Sequence, residues 1–207
     1  MLVTLFSVIV GSASVASEFT DGTIKQLLIR PHPRWAILLS KYLSVILYAI
    51  VLLGVLVLAG YLVGLLFFGA GDFNAKFYDI NLDGQVEGVI GTQFLLKMMY
   101  YLPSLLVTMT IAFMISTLFK SQAMAVGIGI FIVFVSSMLG GFLLLLAQEY
   151  TWVKFLIFPH MDLTIFAVQD TILQDVTITT SLFILGAYYL VFLFITFWSF
   201  QKRDISI

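Results

Sequence analysis

Tyr42 to Gly71 reads YLSVILYAIVLLGVLVLAGYLVGLLFFGAG, an unbroken stretch without Asp, Glu, Lys or Arg. At 1.5 Å per residue, a bilayer's hydrocarbon core of about 30 Å is crossed by about 20 apolar residues. This run exceeds that length, so a helix built from it tilts or extends past the interface. The rest of the chain has the same character. Of its 207 residues, 61% are hydrophobic and 10% charged, and the mean hydropathy is +1.11, whereas globular domains have about 45–50% apolar and 25% charged residues. A soluble fold cannot hide so much apolar surface. Soluble enzymes and free nucleic-acid binders are therefore excluded, and no nucleic-acid partner is expected. Barrel strands would alternate polar and apolar residues over about ten positions, so the long apolar runs read as helices. Cysteine is absent, which removes disulfides, thiolate metal sites and Cys nucleophiles.

Four further charge-free runs flank this one: Met1–Ser17, Met98–Phe119, Ser121–Gln148 and Val176–Gln201. The reading is an all-α integral membrane protein forming a single transmembrane domain over residues 1–207. Its five transmembrane helices fall at about 1–17, 37–69, 95–118, 122–147 and 177–200. Residues 18–36 form a cytoplasmic segment, and 70–94 and 148–176 are outer loops. Pro103 lies inside the third span and is expected to kink it. Glycines recur in the second span (Gly54, Gly60, Gly64) and the fourth (Gly127, Gly129, Gly140, Gly141), where small residues let helices approach closely.

The basic residues set the orientation. Lys25, Arg30, Arg34, Lys41, Lys120, Lys202 and Arg203 fall on one side of the five spans, and Lys76, Lys97 and Lys154 on the other. Seven against three is a positive-inside asymmetry, so the 18–36 segment, the Lys120 turn and the C-terminus are expected in the cytoplasm. The N-terminus is then outside, although Met1 opens directly on apolar residues, and we expect a first helix to be missing. A signal peptide ending near Ser14-Val15-Ala16 is the rival reading. It fails because there is no basic n-region and because cleavage would strand Lys25, Arg30, Arg34 and Lys41 outside.

Between the first two spans, Thr23 followed by Gln26 fits a capping box, and Gly22 permits the turn before it. Ile24, Leu27 and Leu28 fall at i, i+3 and i+4 and form one apolar face, and Pro31 and Pro33 stop the helix near Ile29–Arg30. Such a two-turn amphipathic helix is marginal alone in water and is expected to dock. The pattern Glu18-x-x-x-Gly22-Thr23-x-x-x-Leu27-Leu28-x-x-Pro31-x-x-Arg34, followed by Leu38-Leu39-x-Lys41, resembles the signature of permease subunits of type-2 ABC exporters. The layout is similar too: a long outer loop, a tight basic turn at Lys120 and the ending Lys202-Arg203-Asp204-Ile205. The resemblance implies several things. Glu18, Gly22, Thr23, Ile24, Leu27, Leu28, Pro31 and Arg34 form a coupling helix on a cytoplasmic ABC ATPase. A second permease copy, identical or homologous, completes the transporter. Short re-entrant or interfacial helices precede the last span. The exported substrate is an amphiphile such as a drug, peptide antibiotic or lipid, crossing a bacterial plasma membrane. The chain departs from the family at its front, where the first family span is missing. No G-x-x-x-x-G-K-[ST] occurs, so ATP and magnesium are expected on the partner and no cofactor here. The competing reading is a membrane scaffold or sensor whose 18–34 helix binds another cytosolic protein.

Two features imitate chemistry. Asp79-x-Asn81-x-Asp83-Gly84 copies part of an EF-hand loop but places Ile90 where the bidentate Glu belongs, so a solvated, turn-rich loop is expected. His160 and Asp162, with Glu149 nearby in sequence, suggest a metal or acid–base site. However, the only other histidine, His32, is expected on the opposite side, and neither H-E-x-x-H nor G-x-S-x-G occurs, so no catalytic activity is expected. The long spans carry no charge that would mark an ion relay.

Overall fold

A computed structural model describes residues 1–24, 33–81, 84–147, 149–169, 171–173 and 176–202. The chain is mostly helical. Among the described residues, five helices are long and apolar enough to cross a membrane: α1 (Leu2–Thr20), α2 (Arg34–Phe68), α3 (Ile90–Leu118), α4 (Gln122–Leu146) and α5 (Ile178–Lys202). Their order matches the charge-free runs, but their ends do not. α1 continues through Glu18, α2 begins at Arg34 and α3 begins at Ile90 and contains Lys97. A helix in lipid does not stop at its first charge, because a neighbour can neutralise the charge or a long side chain can carry it to the interface. Pro103 sits inside α3, which is one helix from end to end.

The all-α expectation needs correction between the spans. The loop after α2 is a hairpin, β1 (Lys76–Asn81) with β2 (Gly84–Val89), antiparallel with Lys76 opposite Val89 and Asn81 opposite Gly84. It is therefore not simply turn-rich. Asp79 and Asn81 lie on extended backbone in a ladder, whereas an EF-hand loop wraps its backbone around the ion. The loop before α5 holds no α-helix among its described residues. It holds three short 3-10 helices, Thr151–Phe155, Phe158–His160 and Leu163–Ala167, then a small antiparallel pair, β3 (Thr171–Leu173) with β4 (Val176–Thr177). Pro159 lies within the middle one, and Pro lacks the N–H that a longer helix would need.

The core forms around α3. Its buried face, including Leu105, Met109, Ala112, Phe113 and Ile115, meets α1, α4 and α5. Phe113 is fully buried and lies against Tyr42 of α2 with ring centroids 5.2 Å apart. Hydroxyls cross the same interfaces. The Ser116 oxygen accepts from the backbone N–H groups of Val15 (2.8 Å) and Ala16 (2.9 Å), and Tyr42 Oη lies 2.7 Å from Thr110 Oγ1. The glycine expectation holds at one position. A Cβ on Gly129 would come within 3.1 Å of Ser12 Oγ and Val8 Cγ1 on α1, whereas Gly54, Gly60, Gly64, Gly127 and Gly141 face open space.

Candidate functional site

The residues singled out between the first two spans lie at one end of the bundle. Leu27, Leu28 and Pro31 lie outside the described residues, as does most of the expected short helix. Glu18, Gly22, Thr23, Ile24 and Arg34 are described. Glu18 stands on the last turn of α1, where its Oε1 meets Lys41 Nζ of α2 at 2.9 Å, both side chains being less than a quarter exposed. The same ammonium donates to the Ser14 carbonyl at 3.0 Å, and the Thr23 hydroxyl donates to the other carboxylate oxygen of Glu18. One carboxylate thus ties the end of α1, the turn after it and the start of α2 together. An ion pair this sheltered depends on both partners, because losing one leaves a charge without compensation.

The turn after Glu18 is built to reverse. Asp21 N–H closes α1 on the Ser17 carbonyl at 2.8 Å, and Gly22 follows at φ +72°, a conformation that costs an L-residue with a Cβ but not glycine. The reversal delivers Ile24 into the core, where it is 4% exposed and joins the cluster of Val15, Leu38, Tyr42, Phe113 and Phe200. Ile24 therefore anchors the turn to the bundle. Arg34 opens α2 on the surface, beside half-exposed Trp35.

Thr20 was not singled out from the sequence, yet it joins this end to the α3–α4 turn. Its hydroxyl donates to the Ala16 carbonyl of its own helix (3.0 Å), with the Lys120 carbonyl farther off at 3.3 Å, and accepts the Gln122 N–H (2.9 Å), the first of α4. One of the four N-terminal donors that α4 cannot satisfy internally is thereby capped from another helix. Nothing local betrays this role, because Thr20 and Gln122 are about a hundred positions apart. Together, Glu18–Lys41 and Thr20–Gln122 bring the 18–24 turn, the start of α2 and the Lys120 turn to the same end. Lys202 closes α5 with its ammonium 4.5 Å from the Trp198 ring.

At the opposite end, Gln93 Nε2 donates to the Ala167 carbonyl at 2.7 Å and fastens the 3-10 segment to α3. His160 is buried, with Nδ1 2.9 Å from Ser181 Oγ and Nε2 2.8 Å from the Lys154 carbonyl. A carbonyl can only accept, so Nε2 carries the proton and Nδ1 accepts from Ser181. Burial holds this imidazole below its ordinary pKa, partly offset by the Lys154 carbonyl. Both ring nitrogens are engaged in tying the loop to α5, and among the described residues no group of three His, Cys, Asp or Glu is placed to hold a metal.

The family described as "Protein of unknown function (DUF2705)" matches residues 1–206. Two proteins of Bacillus subtilis (strain 168) are similar to the chain. "Uncharacterized protein YhcI" is 36% identical over 212 aligned positions, which cover 100% of this chain and 66% of YhcI. "Uncharacterized membrane protein YdbK" is 29% identical over 209 positions, covering 100% of this chain and 79% of YdbK. The chain thus spans just under two thirds of the length of the first and about four fifths of the second. No solved structure matches.

Proposed function

The chain belongs to the DUF2705 family, and from that premise we propose that it is the membrane-spanning part of a type-2 ABC exporter permease. In this reading the 18–34 segment rests on a cytoplasmic ATPase that binds ATP and magnesium. Two permease copies stand side by side in the cell membrane, and closure of the ATPase pair opens a path for an amphiphile between them. This chain supplies no catalytic residue.

The observation that carries the reading is the Glu18–Lys41 junction. Residues of the exporter-like pattern that are far apart in sequence meet there, at the end of the bundle that also gathers Lys120 and Lys202. A coupling segment must transmit force, and a turn fixed by an ion pair, a positive-φ glycine and a buried Ile24 supports that role better than a free linker would. The name of the relative YdbK, a membrane protein, supports the location and is silent on transport.

The test uses the full-length membrane protein and the P-loop ATPase expected from an adjoining reading frame. Leu28→Asp places a charge where an apolar anchor must be desolvated, at a cost of about 2 kcal/mol or more. ATPase co-purification should then fall more than about tenfold, while membrane insertion is unchanged because span lengths are untouched. Full recruitment and undiminished ATP hydrolysis with Leu28→Asp would reject the coupling role and favour a scaffold.

A further inference from the structure

The segment between α4 and α5 is fastened to α5 through a group that can titrate. Its three 3-10 helices fall within residues 151–167. Such elements have poorer hydrogen-bond geometry than an α-helix, and Trp152 and Phe155 stand exposed on them. His160 is nonetheless 1% exposed. Its ring ties two elements together, with Nε2 2.8 Å from the Lys154 carbonyl and Nδ1 2.9 Å from Ser181 Oγ on α5. Phe158, Pro159, Met161 and Asp162, on either side of it in sequence, form part of the wall of a cavity of about 620 Å³ between α1, α3 and α4, at the end opposite Glu18 and Lys41. The bonds that hold the segment therefore also hold a cavity wall in place.

This arrangement suits a neutral imidazole only. With the proton on Nε2, one nitrogen donates and the other accepts. A second proton would sit on Nδ1, facing the oxygen that gives that nitrogen its own proton. The Ser181 hydroxyl would have to turn away, and the charge would stay in a site where burial already disfavours it. Among the described residues no carboxylate bonds to the ring. α4, which packs on the His160 turn, carries no acidic or basic side chain from Gln122 to Leu146. α5 presents Ser181 and, farther along, Tyr188, whose hydroxyl donates to the Phe155 carbonyl at 3.2 Å. Within the segment, Lys154 brings like charge, and Asp162 is turned to Thr164, accepting from its N–H and its hydroxyl. Glu149 and Tyr150 precede the first 3-10 helix. Across the cavity stand Met1 and Tyr101, whose hydroxyl is bonded to Thr4. Asp170 and Asp175 of the same loop lie outside the described residues.

We propose that His160 is an acid-sensitive latch: neutral, it holds the 151–167 segment to α5 as one wall of the cavity, and protonated, it releases that segment and opens the cavity at this end. The imidazolium gains water when the segment leaves α5, whereas the closed site gives it none. Burial holds the pKa of the closed form below the ordinary value of about 6.5. Closure is therefore at full strength above that pH and weakens by up to about tenfold per unit below it, until the closed form's own pKa is reached. A transporter and a sensor could both use such a latch, so it does not rest on the exporter reading.

The experiment is hydrogen exchange of the full-length protein in lipid nanodiscs, read by mass spectrometry and corrected for the intrinsic pH dependence of amide exchange. It runs from about pH 7.5 to about pH 4, across the ordinary histidine and carboxylate ranges. Protection of peptides spanning 151–167 should fall about tenfold as the pH drops from about 6.5 to about 5.5, while residues 104–117 of α3 keep theirs. His160→Gln replaces the ring by a carboxamide that has a donor and an acceptor but does not titrate, and should keep the segment equally protected through that interval. Three results would overturn the latch: wild-type protection that does not change with pH, a loss that persists in His160→Gln, or a loss shared by α3, which is unfolding of the bundle. Should His160→Gln fail to insert, the wild-type midpoint decides. A loss beginning near about pH 6.5 supports the latch, and one confined below about pH 4.5 belongs to carboxylates and overturns it. Leu28→Asp should leave the profile intact, which separates failure here from failure of ATPase coupling.

Discussion

α2 and α3 are both long, apolar and free of charge through the middle, yet they occupy opposite places in the molecule. α2 buries only the stripe Leu38, Tyr42, Val45, Ala49 and Leu53. Beyond Gly54 it buries nothing against the chain, and Leu58, Leu62, Leu66 and Phe68 stand exposed. α3 is richer in hydroxyls and is the centre, with Ser104, Thr108, Thr110, Ser116 and Thr117 buried among its apolar residues. In water the more apolar helix would be inside. Lipid is as apolar as a leucine side chain, so burying Leu against Leu gains little over leaving it in the bilayer, and close packing and hydrogen bonds decide which helix goes inside. Hydroxyls facing hydrocarbon would lose partners that neighbouring helices can supply.

Three paired substitutions would break or sharpen this contrast, each read as a change in unfolding free energy in detergent or bicelles. The largest effect is expected from Phe113→Ala on α3, which empties a fully buried site beside Tyr42 and should cost about 3–5 kcal/mol. Leu58→Ala, at a position 64% exposed on α2, should stay within about 0.5 kcal/mol. Comparable losses at both positions would mean that the outer half of α2 is covered in the protein as isolated.

Next comes Ser116→Ala. It removes the side-chain oxygen on α3 that two N–H groups of α1 also reach, at a cost of about 1–2 kcal/mol for the two bonds. Ser44→Ala on α2 should be nearly silent, because its exposed hydroxyl bonds only the Ser40 carbonyl of its own helix. If the two variants are equally stable, the hydroxyls of α3 do not hold α1.

The smallest effect is expected at the glycines. Gly129→Ala pushes a methyl against Val8 and Ser12 and should be worse than Gly60→Ala by about 1 kcal/mol. The second variant absorbs the helix-propensity gain common to both. Equal outcomes would show that α1 and α4 can separate freely at this contact.

Much of this arrangement could be read from the residues. The five spans and their order follow from charge-free length, and Gly22 was legible as a turn because no other residue takes positive φ so readily. The first outer hairpin was missed because Asp79, Asn81 and Gly84 drew attention as a turn. The alternation Gln85-Val86-Glu87 was a strand signal of period two that could have corrected it. At the candidate site, Glu18 and Lys41 were both in the exporter-like pattern, but neither residue alone reveals their pairing. Ile24 was read as part of an apolar face that docks, and i, i+3, i+4 spacing marks such a face without saying what covers it.

The sequence by itself determined that this is a chain of five bilayer-length helices with its basic residues concentrated at one end. Solvation by lipid accumulates residue by residue along each run and needs no partner to be counted. Only the tertiary structure decided which helix is central, that Gly129 alone of the glycines singled out in the long spans meets α1 at 3.1 Å, that Thr20 caps α4, and that seven hydroxyl-bearing residues line one cavity. Each of these depends on distances between helices. A serine in an apolar run reads the same whether it bonds its own carbonyl, a neighbour's N–H or nothing, and only packing settles which.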